Sequence, residues 1–353
     1  MKVLYFATYY TSHYVRQDVI RDCLKKNKDI KLIECVYNSK SFFRYLIATW
    51  KFLLLPKRDV DIIIVGFRGQ EILPFIRLMT RKPIIFDAFI SIYDTLCFER
   101  RKFEPQSLIG RFTYWLDRYD CKIADRVILD TNAHIEYFSK TFHIPKEKFS
   151  RIFVGADQSI FYPREVMKKE DKFTIFYYGT GLPLQGIEII LNAAKILESD
   201  SMVLFRLAGP IRRKYKESID SLNLKNVEYI NWVPYEELPK EIAKADVCLG
   251  GHFSSVEKAR RVISGKTFQF LAMKKSIIVG ENKANGELLK HKKNCIMVEM
   301  ANPKTLANAI LELKFDHNLR EKIAEAGYQT FLATKSEITI GLFNAVKGCL
   351  DNQ

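Results

Sequence analysis

Short apolar runs rich in β-branched residues recur along this chain, each separated from the next by a segment of helical length and period. Residues 3–7, 31–37, 61–66, 83–86, 126–130 and 150–154 form a first set, with segments such as 15–25, 69–81 and 108–124 between them. A second set follows at 173–178, 202–208, 227–230, 246–250, 276–279 and 296–298, again with helical periodicity in segments such as 186–197 and 235–245. Continuous apolar runs suit strands buried on both faces, as in a parallel sheet covered by helices. Two sets of six predict the α/β class with two Rossmann-like, doubly wound domains. Phe161-Tyr162-Pro163 and the polar stretch 164–172 mark the expected break. Residues 1–163 then make one domain, 164–330 a second, and 331–353 a last helix expected to pack back on the first. Ligands of open α/β sheets bind beyond the carboxyl ends of the strands, so the expected site is a cleft faced by both domains.

At 353 residues the chain can bury two cores of ordinary size. Its 56 basic and 41 acidic residues leave a net charge of +15, which points to an anionic partner: nucleic acid, a phosphorylated metabolite or an anionic membrane surface. The cations are spread along the chain with no nucleic-acid reader motif, so no nucleic acid is expected. Seven cysteines, scattered and without C-x-x-C spacing, predict reduced thiols and a cytoplasmic protein, with neither a disulfide framework nor a zinc site. The histidines show no metal-ligand spacing either, so no metal and no cofactor are expected. The first residues read directly as a strand, leaving no room for a signal peptide, and no apolar run reaches the ~18 residues of a spanning helix.

Residues 257–280, EKARRVISGKTFQFLAMKKSIIVG, gather Lys258, Arg260, Arg261 and Lys266 around Gly265, where an amphipathic helix is expected to begin. Backbone N–H groups at a helix start favour phosphate, and cations beside them make a diphosphate the natural ligand. A solvated charged face is the other reading.

Placed in order, the pieces of the second half resemble a known family. A strand (FTIFYYG) leads to the turn GTGLPLQG and the helix IEIILNAAKIL. LFRLAGP, NVEYINWVPYEELPKEIAKADVCLG, the basic stretch, GELL and NCIMVEMANPKTLANAIL then follow. This succession resembles the donor-binding half of glycosyltransferase family 4 (group 1), retaining enzymes of the GT-B fold. The tail of the first half, ADRVILDTNAHIEYFSKTFHIPKEKFSRIFVGADQSIFYP, is similar to that family's inter-domain approach. The likeness covers about residues 110–330 well and 1–109 more weakly.

The resemblance implies a nucleotide-diphosphate sugar as donor, transfer with retention and no metal. Lys266 and Arg261 are matched to the diphosphate, with Gly265 at the helix start and Lys258 beside it. Gly181 lies in the first Gly-rich turn. Gln269 stands where a Glu usually holds the ribose, and Gln185 and small residues stand where that turn usually carries an Arg and a Lys. Position 261 is Arg where the family's first Glu falls. Glu287 matches a donor-side Glu or caps a helix N-terminus. Trp232, after Asn231, either meets the base or packs, and His252 after Gly250-Gly251 either touches the donor or lies on a surface loop. Without a metal, a fixed cation and helix N–H groups would stabilise the charge that builds on the leaving phosphate.

In the first half, Asp87 replaces the family's usual His at a strand end. It either serves the acceptor hydroxyl, as a catalytic residue beside Arg261 and Lys266, or caps the next helix. Tyr10, His13, Arg68 and Asp94 are the other acceptor-side candidates, although the family's usual Gly pair in the first loop is missing. Residues 39–58, SKSFFRYLIATWKFLLLPKR, confine Ser41, Arg44, Ala48 and Lys51 to one stripe of an otherwise apolar helix. Such a helix packs on its own sheet or lies at an anionic membrane surface. The sequence thus predicts a glycosyltransferase acting on a glycan or lipid-linked acceptor. A nucleotide-sugar epimerase and a catalytically silent nucleotide-sugar binder are the alternatives.

Overall fold

The computed structural model describes residues 1–9, 14–41, 43–55, 59–166 and 171–351. They group into two compact units, Met1–Gly155 with Lys335–Gln353, and Ala156–Thr334. The chain changes unit ahead of Phe161, which is fully buried in the second unit's core and meets Tyr235 edge-on at 5.2 Å. A buried aromatic, not the polar run after it, therefore opens the second unit.

The first unit runs β1 (Lys2–Ala7), α1 (Val15–Lys26), β2 (Lys31–Val36), α2 (Arg44–Leu54), β3 (Ile62–Val65), α3 (Leu73–Met79), β4 (Ile84–Asp87), α4 (Leu108–Ile123), β5 (Arg126–Leu129), α5 (Asn132–Phe142) and β6 (Phe149–Arg151). Its strands pair in parallel in the order β2-β1-β3-β4-β5-β6. The inner strands IIIV and IIFD are buried at every position, as a sheet covered on both faces requires. The step from β1 to β2 runs one way across the sheet and later steps run the other. Right-handed crossovers then put α1 on one face and α2 to α5 on the opposite one, where α2 packs on α3, α3 on α4 and α4 on α5.

Local chemistry sets the element ends. Ser107 caps α4 by accepting the Gly110 N–H, and Thr131 caps α5 by accepting that of His134. The helical period from residue 69 becomes the shorter α3 because Pro74 fits only the first turn of a helix. The expected strand 150–154 is cut to β6 at the sheet edge. After one more ladder bond, Ile152 N–H to Leu129, the Ile152 carbonyl accepts instead from the Arg16 guanidinium.

The second unit runs β7 (Phe173–Tyr178), α6 (Ile187–Ile196), β8 (Val203–Ala208), α7 (Ile211–Lys214), α8 (Lys216–Leu222), β9 (Val227–Ile230), α9 (Leu238–Ala243), β10 (Val247–Leu249), α10 (Gly265–Ala272), β11 (Ser276–Gly280), α11 (Lys283–Gly286), β12 (Ile296–Val298) and α12 (Pro303–Phe315). The last helix, α13 (His317–Leu350), contributes residues to both units. All pairs of this sheet are parallel, in the order β12-β11-β10-β7-β8-β9. Chain direction across the sheet reverses between β7 and β10, which makes their carboxyl ends the switch-point crevice where ligands of such sheets bind.

Two features of the first unit depart from sequence expectation. On α2 only Ala48 and Phe52 are buried, so the stripe expected to hold the polar side supplies one of the two packing residues. α2 packs on the sheet through these two residues, Phe52 meeting Phe6 edge-on at 5.8 Å, while most of its other apolar side chains face outward. On α4, Asp120 has no exposed surface, and neither carboxylate oxygen has a hydrogen-bond partner among the described residues. Burial, helped by Asp117 and Glu71, pushes its pKa up to about 10, so it is a neutral acid at neutral pH. Among the described residues no helix is long and apolar enough to cross a membrane.

Candidate active site

The second unit brings three loops together beyond the β7/β10 switch point: residues 179–186 after β7, residues 250–252 after β10, and the start of α10. Glycine makes their close approach possible. At Gly209 (φ +123°) a side chain would overlap the Gly179 carbonyl, and at Gly280 it would overlap the carbonyl of His252. Gly181 and Gly186 take left-handed backbone, which lets the 179–186 loop fold back on itself.

Lys266 sits in the first turn of α10 with 6% of its surface exposed. Its Nζ lies 4.6 Å from the centre of the Tyr177 ring and 3.4 Å from the Tyr177 hydroxyl. Burial alone drives its pKa from 10.5 down to about 7. A cation there also opposes the positive end of the helix dipole. The capping residue, Ser264, makes no side-chain hydrogen bond to the N–H groups of that turn. In the free protein the charged form of Lys266 is thus held at an unfavourable place.

His252 joins it. The imidazole is buried, its Nδ1 has no hydrogen-bond partner among the described residues, and its pKa is pushed down to about 3 by burial and by Lys266 and Lys258. It is neutral at physiological pH, with an imidazole nitrogen available to a ligand. Lys258, buried in the 3₁₀ turn Glu257–Arg260, and half-buried Arg261 just after that turn complete the basic group. The structure therefore collects Lys258, Gly265, Lys266 and His252 at one place.

Gln185 does not replace the missing turn cations. Its Oε1 accepts from the Tyr177 hydroxyl at 2.9 Å and from the Leu182 N–H at 3.1 Å, which pins the Gly-rich turn to β7 and to the ring under Lys266. A cation reaches that turn from elsewhere: Lys214 Nζ, at the end of α7, donates to the Thr180 carbonyl at 2.6 Å. Neither role is legible from spacing, because both depend on contacts made through the fold. Gln269 is buried on α10, donates at 3.4 Å to the Tyr235 hydroxyl and leaves its Oε1 without a partner among the described residues. Trp232 is 71% exposed, so it is not the packing residue that its size allowed. Glu287 follows the end of α11 rather than opening a helix, so it is not an N-terminal cap.

At the carboxyl end of the first sheet the picture differs. Asp87 is fully buried, and both its oxygens accept from Arg16 Nε, at 2.8 and 3.0 Å. Burial raises its pKa and Arg16 pulls it back. That carboxylate ties β4 to α1 and, through Arg16, to Ile152; it neither caps a helix nor stands open to an acceptor. Arg68, with left-handed backbone, pairs with Glu71 at 2.6 Å. Asp94 is buried, and its N–H donates to Ser91 Oγ at 2.9 Å. Tyr10 and His13 lie outside the described residues. An aromatic group that spacing did not reveal stands near these positions: Tyr14 stacks on Phe67 at 4.1 Å, with Tyr9 and Phe89 set edge-on to Phe67. Among the described residues no group of three or more His, Cys, Asp or Glu is placed to hold a metal ion.

Comparison with known proteins follows the same division. Residues 159–330 match the family model described as Glycosyl transferases group 1. No curated protein matches the sequence. The chain superposes on Anabaena Alr3699/HepE, solved in complex with UDP-glucose, with a TM-score of 0.75 at 15% identity, covering 99% of this chain and 100% of that one. Sucrose-phosphate synthase from Thermosynechococcus elongatus gives 0.74 at 13% identity, covering 100% and 99%. A glycosyltransferase from Rickettsia africae ESF-5 gives 0.70 at 15% identity, covering 99% and 98%. At these identities the likeness establishes the fold, the two-domain α/β architecture called GT-B.

Proposed function

We propose that this chain, whose residues 159–330 match the family model of the glycosyl transferases of group 1, moves a sugar from a nucleotide-diphosphate donor to a glycan or lipid-linked acceptor. The observation that carries the donor assignment is Lys266, a desolvated ammonium at a helix N-terminus whose pKa only burial moves. A diphosphate relieves it on every count, by supplying the opposite charge and by accepting from the open N–H groups of α10. Lys258 and Arg261 add charge beside it, and His252 offers a neutral donor to the sugar or phosphate. Gln269 serves the ribose and exposed Trp232 the base. Family 4 chemistry, transfer with retention and independence from metal rest on the resemblance.

In the transfer step the bond from the anomeric carbon to the β-phosphate oxygen breaks and the bond to the acceptor oxygen forms. The acceptor proton passes to the departing phosphate. Charge growing on that phosphate is met by Lys266 and the α10 N–H groups, which are already oriented and add no reorganisation cost. Because Asp87 is committed to Arg16, no carboxylate base is assigned. The acceptor is received by the first unit, where Tyr9, Arg68 and Asp94 are the residues to vary, and a membrane surface is the expected source of a lipid-linked one.

Titration of UDP and UDP-glucose into the protein, with UDP release read against a panel of glycan and lipid-linked acceptors, tests this. Lys266→Ala and Arg261→Ala should each weaken UDP binding and depress turnover. Normal turnover by both variants removes the diphosphate assignment. Tight UDP binding with no turnover under any acceptor supports the silent binder, and recovery of an altered sugar nucleotide supports the epimerase.

A further inference from the structure

The outward side of the helical layer α2, α3 and α4 carries no acid among the described residues. α2 and α3 contain none, and both acids of α4, Asp117 and Asp120, are buried. Large apolar side chains occupy that side instead: Trp50 and Leu54 on α2, Leu78 on α3, and Leu108, Phe112 and Trp115 on α4, each more than half exposed. Phe112, Trp115 and Tyr119 stack in succession along α4, at 6.0 and 5.1 Å. Lys51, Arg111 and Lys122 stand exposed among them. Six such side chains present on the order of 700 Å² of apolar surface, beyond the 300–600 Å² of the largest patch on an ordinary monomer.

We infer that this three-helix face docks the protein on the surface of an anionic bilayer. Charge decides the occupant. A second copy meeting this face symmetrically would set its own cations against these with no acid to receive them. A bilayer containing anionic lipid supplies both halves of the match. Aromatic and leucine side chains enter the headgroup–acyl boundary, and lysine and arginine stems lie along it with their charges among the phosphates. The α2 helix, where Leu46, Trp50 and Leu54 face outward, is one part of this surface, and α3 and α4 extend it. The face belongs to the first unit and the donor loops to the second, so docking and donor binding are read by different substitutions.

The full chain is sedimented with sucrose-loaded vesicles of phosphatidylcholine alone and of equal parts phosphatidylcholine and phosphatidylglycerol. The wild type should pellet with the second kind and much less with the first, and added salt should release part of it. Phe112→Ser with Trp115→Ser should lower the partition coefficient at least tenfold on the burial value of apolar surface. Arg111→Glu with Lys122→Glu should lower it several-fold and abolish the lipid preference. These side chains are exposed, so circular dichroism should show every variant folded, and UDP binding should be unchanged. As an independent readout, tryptophan emission of a Trp232→Phe protein, which keeps Trp50 and Trp115, should be quenched by brominated phosphatidylglycerol. Wild type left in the supernatant with both vesicles overturns the inference. So does binding that none of the substitutions alters, or a dimer in sedimentation equilibrium that the Phe112/Trp115 substitution dissolves.

Discussion

Replacing Lys266 by Met separates the cost of a buried cation from its use. In the folded, ligand-free protein burial takes this lysine from 10.5 to about 7. At pH 7 it is then half charged when folded and fully charged when unfolded, and the linkage between those states amounts to about 4 kcal/mol of destabilisation. The sign follows from the protons bound. Between pH 7 and 10.5 folding must strip a proton from the ammonium, so the penalty is full below the folded value and fades as pH rises to the unfolded one. Met keeps the length of the side chain, removes the penalty and forfeits a cation–π contact with Tyr177 of about 1 kcal/mol. The net gain is roughly 3 kcal/mol, or about 5–10 °C in the midpoint of the second unit. Scanning calorimetry of both proteins without ligand, from about pH 6.5 to about pH 10, measures it. The variant should melt higher at neutral pH, and the difference should shrink steadily with alkali. In the same preparation, UDP affinity should fall by at least tenfold, about 1.4 kcal/mol. Wild type should take up roughly half a proton on binding UDP at pH 7 and the variant none. A variant that melts no higher than wild type at neutral pH, or a difference that ignores pH, would show that Lys266 is not a strained cation and would remove the basis for its role.

Gln185→Ala leaves the Tyr177 hydroxyl and the Leu182 N–H without their acceptor and should cost about 1–3 kcal/mol in urea unfolding, with a larger rise in donor KM than fall in kcat. Gly209→Ala asks a side chain to occupy the Gly179 carbonyl from a backbone that L residues rarely adopt; soluble expression and near-ultraviolet dichroism should both fall, and native spectra at normal yield would contradict the packing. Arg16→Met leaves Asp87 buried and uncompensated, which should cost about 3–5 kcal/mol in chemical denaturation. Arg16→Met with Asp87→Leu should recover most of that loss.

Much of the framework was legible in the chain because parallel strands buried on both faces write themselves as unbroken apolar runs; SIIVG and FTIFYY read as strands with no help from the fold. The place of Lys266 was legible for a similar reason, since a glycine and a cation ahead of an apolar helical period mark the start of α10. Gln185 was not. Its bonds run to a ring eight residues away and to a turn whose shape depends on Gly181 and Gly186 both taking left-handed backbone. Asp87 misled because the cation that claims it lies 71 residues away in the sequence. The period of α2 showed that it is amphipathic but not which side meets the sheet, and the sheet takes only Ala48 and Phe52.

Asp120 gives the two units opposite dealings with the solvent. Its folded value near 10 means that the first unit takes a proton from the buffer as it folds at neutral pH, because the unfolded carboxyl, at 3.8, holds none. Lys266, in the second unit, gives one off. Between about pH 7 and about pH 10 these exchanges cancel, so the chain as a whole registers little pH dependence from either while each unit depends on it. Alkali loosens the first unit as it secures the second, and acid does the reverse. Near-constant stability of the whole chain across neutral pH would then be a balance of opposed slopes, and isolating either unit would expose the slope that the other conceals.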